Sequence, residues 1–281
     1  MDSRPHTGPF DIHQHYGTME SLAKPEGDGG QSESKEEWAR IERQVRADVM
    51  DEMGITRAVL LASASYLQPN GIADTRRTND EIAAYCAADP GRFPVGIGTV
   101  EPLHGRAGVD EVRRIADLGL RGVCYHTRFQ GVAIDSVWVR RHIEVMVELG
   151  LVPLIHINVD SSLESPILLL RLARDFPSVP MVAIDALSSY QHTIECELVA
   201  ETCPDMLFET SQAHGNVIAT FVAAFGSERV VFGSDLYSYP VAFRTGNTPD
   251  AIARMLGDKE KADNVLWRNT ERLFRLDGAF A

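Results

Sequence analysis

Two hydrophobic periods alternate along this chain. Short apolar, β-rich runs occupy 9–13, 57–62, 94–100, 121–125, 151–157, 179–185, 206–211 and 229–235, and each reads as a strand. Between them, apolar residues recur at helical spacing over about 35–53, 78–89, 107–118, 136–149, 163–176, 190–203 and 214–226. Two further helices are expected near 248–256 and 259–274. Gly54, Gly119, Gly150 and Gly226 fall just before the next strand, where helix C-terminal caps belong. Asn79-Asp80-Glu81 and Asp135-Ser136 carry the residue types that start helices.

Eight strands alternating with helices predict an α/β fold, a (β/α)₈ barrel forming one domain over 1–281. An open doubly wound sheet is the alternative, but no GxGxxG follows the first strand. The stretch TMESLAKPEGDGGQSES, 18–34, is polar and Gly-rich and lies between the first strand and the first helix. In a barrel that connection is on the active face, so a mobile lid is expected there, with a passive surface insertion as the other reading.

Composition narrows the class. Apolar residues make up 44% of the 281, enough for a large core. No apolar run reaches the roughly 18 residues of a membrane span, and MDSRPHTGPF lacks a signal-peptide core, so a cytoplasmic protein is expected. A net charge of −13 without a basic cluster argues against nucleic acid or an anionic membrane as partner. Cys86, Cys124, Cys196 and Cys203 form no CxxC pair and are expected as thiols. The partners expected are a small-molecule substrate and, by default for symmetric assemblies, a second copy in a homodimer.

The chemistry begins at FDIHQHYG, 10–17. Side chains two apart on a strand share a face, so His13 and His15 point the same way. Further polar residues fall at the C-terminal ends of later strands: His126 with Arg128 beyond it, His156 within LVPLIHI, Asp185 after VPMVAI, Glu209 with Ser211, and Asp235 in FGSD. A barrel gathers these ends at one mouth. His13, His15, His156 and Asp235 would offer three nitrogens and one carboxylate to a single divalent metal ion. Zinc is the expected ion, and manganese, iron or cobalt suit the same set.

HQH on the first strand, the fifth-strand histidine and FGSD on the eighth resemble the amidohydrolase superfamily. Within it, the chain is similar to the amidohydrolase-related group that includes aminocarboxymuconate-semialdehyde decarboxylase and many hydrolases. The similar stretches run nearly end to end: DIHQHYG, TNDEIAAYCAADPGRFPVGIGTV, LGLRGVCYHTRFQG, GSERVVFGSD and NTERLFRL. The resemblance implies the barrel and the metal site, and leaves the substrate open.

One departure matters. That group usually ends its sixth strand in a histidine, the acid/base of its decarboxylases; here AIDALSS puts Asp185 in that place. His192 and His214 are the nearby histidines that could take over, each otherwise an ordinary helix-start or loop residue. The expectation is therefore a metal-dependent hydrolase acting through a metal-activated water on a small, carboxylate-bearing C–O or C–N substrate. Asp235 and Asp185 are its catalytic candidates, and Arg128 and His126 its substrate contacts. A cation beside Asp185 would hold it ionised at neutral pH. Non-oxidative decarboxylation at the same metal is the alternative reaction, and a metal-free, inactive binding barrel is a second alternative.

Overall fold

The computed structural model describes residues 8–16, 35–62, 70–213, 216–237 and 247–276. Its strands are β1 (Phe10–Tyr16), β2 (Arg57–Ala62), β3 (Val95–Gly96), β4 (Gly98–Thr99), β5 (Gly122–Tyr125), β6 (Val152–His156), β7 (Met181–Ile184), β8 (Met206–Glu209), β9 (Val230–Val231) and β10 (Leu236–Tyr237). The helices are α1 (Lys35–Met53), α2 (Ile72–Ala88), α3 (Arg106–Asp117), α4 (Thr127–Gln130), α5 (Val137–Leu149), α6 (Pro166–Asp175), α7 (Tyr190–Thr202), α8 (Val217–Phe225), α9 (Pro249–Leu256), α10 (Lys259–Asp263) and α11 (Asn269–Phe274).

Every strand pairing is parallel, in the orders β10-β1-β2-β3 and β4-β5-β6-β7-β8-β9. The two sheets are one closed barrel. Ile97 joins β3 to β4 and donates its N–H to Leu60 O at 2.8 Å. At the other seam, Ile12 N–H donates to Phe232 O at 2.9 Å, between β9 and β10. The expected third strand is thus β3 plus β4; of the expected eighth, 229–235, only β9 is strand, and β10 follows just beyond it. The eighth breaks because Asp235 adopts a left-handed φ of 52°, which no strand residue holds.

Alternation along the strands divides the core into two layers. Phe10, Ile12, Val59, Leu61, Leu154, Val182, Ile184 and Val231 fill the barrel interior. Leu60, Val123, Tyr125, Ile155, Ala183 and Phe208 pack outward against the helices. α2 begins at Ile72, earlier than the spacing suggested. The final helix, expected unbroken over 259–274, carries a π-helical turn at Asn264–Arg268 between α10 and α11. There Val265 O accepts from Phe232 N–H at 2.9 Å, fastening the C-terminal helices to the eighth strand.

The expected lid at 18–34 lies outside the described residues. None of the helices described is long and apolar enough to cross a membrane.

Candidate metal centre

The register of β1 against β2 shifts between Asp11 and Gln14. Such a bulge re-aims the side chains beyond it. Ile12 stays in the interior layer, while His13 and His15 come to face groups from four other strand ends. The buried Asp11 holds this bend. Its Oδ1 accepts from the N–H of His13 and of Ser234, both at 3.0 Å, and its Oδ2 from the Gln14 amide at 2.8 Å and the Ser234 hydroxyl at 2.5 Å. Asp11 thereby ties HQH to FGSD. Burial pushes its carboxyl up to about 6, against the hydrogen bonds that lower it. From α1, the buried Arg46 donates to His15 O at 2.6 Å and to Gln14 Oε1 at 3.1 Å, fixing the strand end from outside.

Three imidazoles are oriented by the acceptor at their inner nitrogen. His15 Nδ1 lies 2.6 Å from Ala62 O, and His156 Nδ1 lies 2.9 Å from Tyr125 O. A carbonyl only accepts, so both Nδ1 atoms carry the proton. His13 Nδ1 donates to Glu209 Oε2 at 3.2 Å. All three rings therefore turn Nε2 inward. Nε2 of His13 and His15 are 2.9 Å apart, and Asp235 Oδ1 is 3.4 Å from the first and 3.1 Å from the second. One ring nitrogen from each of His13, His15 and His156 falls within 4.8 Å of the others. Three imidazole nitrogens gathered together, each histidine held by a protein acceptor, with a carboxylate oxygen beside two of them, is the donor arrangement of a metal site. The residues fit a divalent cation.

Glu209 ends β8 and is fully buried. It also accepts from the Asp185 N–H at 3.0 Å, the Ser211 hydroxyl at 2.7 Å and the Ser211 N–H. Gly233 leaves room for it: a Cβ there would lie 2.2 Å from Glu209 Oε1. The glycine of FGSD is thus a close-approach position.

Asp185 follows β7 with a left-handed φ of 61°, takes a hydrogen bond from Ser211 Oγ at 3.2 Å, and lies 3.9 Å from His13 Nδ1. Burial, reinforced by the carboxylates of Asp235 and Glu209 and opposed by His13, pushes it up to about 7. The protein's own groups therefore act against the ionisation expected for it, and only a bound cation would reverse them. Asp235 is held below its usual range; burial would raise it, but His13 and His15 prevail. His13 is pushed up to about 10, because Asp235, Glu209 and Asp185 outweigh the burial that would lower it.

The centre opens into a cavity of about 700 Å³ lined by His15, His126, Arg128, His156, Asp185 and Asp235 among others. His126 stacks on His156 with ring centroids 4.2 Å apart and planes 6° from parallel. Its Nδ1 donates to Glu164 Oε1 at 2.7 Å. Tyr237 stacks on His15 at 4.3 Å. A second hollow, about 540 Å³, opens at the opposite end of the barrel around Arg121, Arg229 and Arg272 and holds none of these groups.

All seven expected residues thus lie at one mouth: His13, His15 and His156 clustered, Asp235 against His13 and His15, Asp185 and His126 beside them, and Arg128 on the cavity wall. His192 is not brought in; it is buried at the start of α7 against Ser188 Oγ, 2.6 Å away. His214 lies outside the described residues. Sequence reasoning overlooked Asp11 and Glu164. Asp11, a carboxylate inside an apolar strand run, was the available signal; Glu164, in a polar loop, had none.

The amidohydrolase family model matches residues 10–276. No curated protein matches the chain significantly. Among solved structures, it is similar to 5-carboxyvanillate decarboxylase from Novosphingobium aromaticivorans, solved with bound manganese (TM-score 0.67, 18% identity, covering 96% of this chain and 97% of that one). It is also similar to 2,6-dihydroxybenzoate decarboxylase from Rhizobium (0.67, 18%, covering 97% and 100%). A third is 4-oxalomesaconate hydratase from Rhodopseudomonas palustris (0.67, 18%, covering 97% of each). At these identities the likeness is one of fold.

Proposed function

The chain belongs to the amidohydrolase family, and on that premise we propose a metal-dependent enzyme that decarboxylates a small carboxylic acid without oxidation. One observation carries the metal: His13, His15 and His156 each spend Nδ1 on a protein acceptor and bring a ring nitrogen within 4.8 Å of the others, with Asp235 Oδ1 beside Nε2 of His13 and His15. These four residues would hold the ion, which when bound would polarise a substrate oxygen as a Lewis acid. Manganese, the ion bound in the 5-carboxyvanillate decarboxylase, and zinc both suit the set.

The chain's own residues supply the rest. Arg128 grips a substrate carboxylate, since a guanidinium matches its two oxygens. His126 and Tyr237 wall the cavity. Asp185, on the cavity wall beside His13, is the carboxyl group placed to deliver a proton to the carbon losing CO₂. The carbon–carbon bond breaks toward that carbon, which takes the proton, and CO₂ departs. The decarboxylases among the fold's solved relatives favour this reading over hydrolysis.

Hydrolysis is the second reading, favoured by Asp185 where the resembled decarboxylases carry histidine. Asp185 or Asp235 would then take a proton from the attacking water. The test is product analysis on protein supplied with manganese or zinc, over aromatic and enol carboxylic acids, lactones and amides. CO₂ release is expected. Hydrolysis at constant carbon count would replace the first reading by the second. Full activity in strong chelator, with no metal detected, would sink both; a metal-free protein without activity would leave a binding barrel.

A further inference from the structure

Glu164 lies on the connection from β6 to α6, with its backbone fixed on both sides. Its O accepts from Asn158 N–H at 2.9 Å, just past β6. The preceding Leu163 O accepts from Ile134 N–H at 3.0 Å and from Thr127 Oγ1 at 3.2 Å. The loop is thereby laid across the turn that carries His126 and Arg128. The Glu164 side chain is fully buried. Its Oε1 accepts from His126 Nδ1 at 2.7 Å and from the Arg128 N–H at 3.0 Å. Its Oε2 has no hydrogen bond, and the Nε edge of the Arg128 guanidinium stands 3.5 Å away.

A buried carboxylate oxygen without a hydrogen bond is costly, so an ion neighbour must make it tolerable. Glu164 is clamped at Oε1 by two donors, and Oε2 is left to face one edge of Arg128. The guanidinium has a second edge, formed by its two Nη atoms, and no acceptor for either is found among the described residues. The Phe129 ring lies beneath it, 4.8 Å from the guanidinium carbon. Arg128 is the one Lys or Arg among the described residues that line this cavity, whose other charged linings include Asp160, Asp185 and Asp235. An arginine held at its Nε edge by a buried carboxylate, with its Nη edge unspent, suits end-on, two-point binding of a carboxylate.

We propose that Glu164 is a positioning residue that holds Arg128 to receive a second carboxylate of the substrate, so that the substrate class is a dicarboxylic acid. This rests on the metal-centre reading, which gives the reacting carboxylate its own place. His126 takes part by fixing Glu164 through Nδ1.

The test is calorimetric titration of the manganese-loaded protein with isophthalate, which has two carboxylates, and with benzoate, which has one. Wild type is expected to bind isophthalate about 10-fold or more tightly than benzoate, the worth of one charge-assisted pair. Glu164→Gln should bring the two acids to within about twofold, with benzoate binding and manganese content unchanged, and Arg128→Gln should remove the preference for isophthalate likewise. A merely structural Glu164 would weaken both acids alike or lower the metal content, and either result overturns the proposal. So does equal binding of the two acids by wild type, or binding of neither by metal-loaded protein. Failure of wild type to take up manganese or zinc would instead overturn the metal-centre reading beneath it.

Discussion

Nε2 of His13 and Nε2 of His15 face each other across 2.9 Å, although each ring already uses its Nδ1 elsewhere. A proton on His13 bridges them in the absence of an ion, and a divalent cation facing both would take that proton's place. The wild-type protein should therefore carry close to one equivalent of a divalent metal when purified without chelator. His13→Ala or His156→Ala should lower its occupancy sharply by elemental analysis.

Glu209 touches no inward nitrogen, yet it sets the orientation of His13. Glu209→Gln should weaken metal affinity by about 10–100-fold, the usual effect of losing an outer carboxylate partner. Gly233→Ala should act in the same direction, because its Cβ would meet Glu209 Oε1 at 2.2 Å. Competition against a chromogenic chelator measures both variants, and unchanged affinity in Glu209→Gln would remove it from the site's support.

Metal uptake should release a proton. In the absence of an ion His13 is pushed up to about 10 by Asp235, Glu209 and Asp185 against the pull of burial, so it is protonated at neutral pH. An ion can take Nε2 only after that proton leaves. Affinity should therefore rise with pH through the neutral range. The apparent binding enthalpy should change with the ionisation enthalpy of the buffer; buffer-independent heats at pH 7 would contradict this.

Asp185→Asn keeps the shape and removes the proton. A fall in kcat of about 10²-fold or more is expected, with metal content unchanged, as for the loss of a general acid or base. Loss of metal in the variant would make Asp185 a ligand; near-normal turnover would pass the proton transfer to Asp235 or to His126.

His142 predicts an acid limb in stability. It is fully buried on α5, with both ring nitrogens lacking a hydrogen bond and its ring 6.1 Å from that of Tyr125. Burial pulls it down to about 4. An unfolded histidine titrates near 6.5, so below that pH the unfolded chain binds the extra proton and the native one resists it. Stability should then fall by roughly 2–3 kcal/mol between about pH 6.5 and pH 4 on account of this residue. His142→Leu should flatten that limb in urea melts taken across the range; an unchanged slope would place the acid sensitivity elsewhere.

The barrel was legible because each strand is short, apolar and followed by a helix with its own period. His13, His15, His156 and Asp235 were legible because strand ends in a barrel share one mouth. What escaped depended on contacts between distant segments. Glu164 is one polar residue in the loop SSLESP, and only folding lays it against His126, 38 positions earlier. The bulge at Asp11 depends on Ser234, 223 residues away. The break in the eighth strand was hidden because FGSD reads as the end of an apolar run, whereas a left-handed residue is decided by what the backbone must turn around.

Asp185 and Asp235 both hold left-handed backbone, with φ of 61° and 52°. Aspartate, asparagine and glycine accept that conformation readily; branched and bulky residues resist it. Mutational drift at these positions is therefore channelled. A descendant of this chain can exchange charge for neutrality at either carboxylate in one step, whereas a β-branched side chain there would strain the turn. New chemistry on this scaffold has its easiest routes at positions such as His126 and Arg128, where the backbone imposes no such toll.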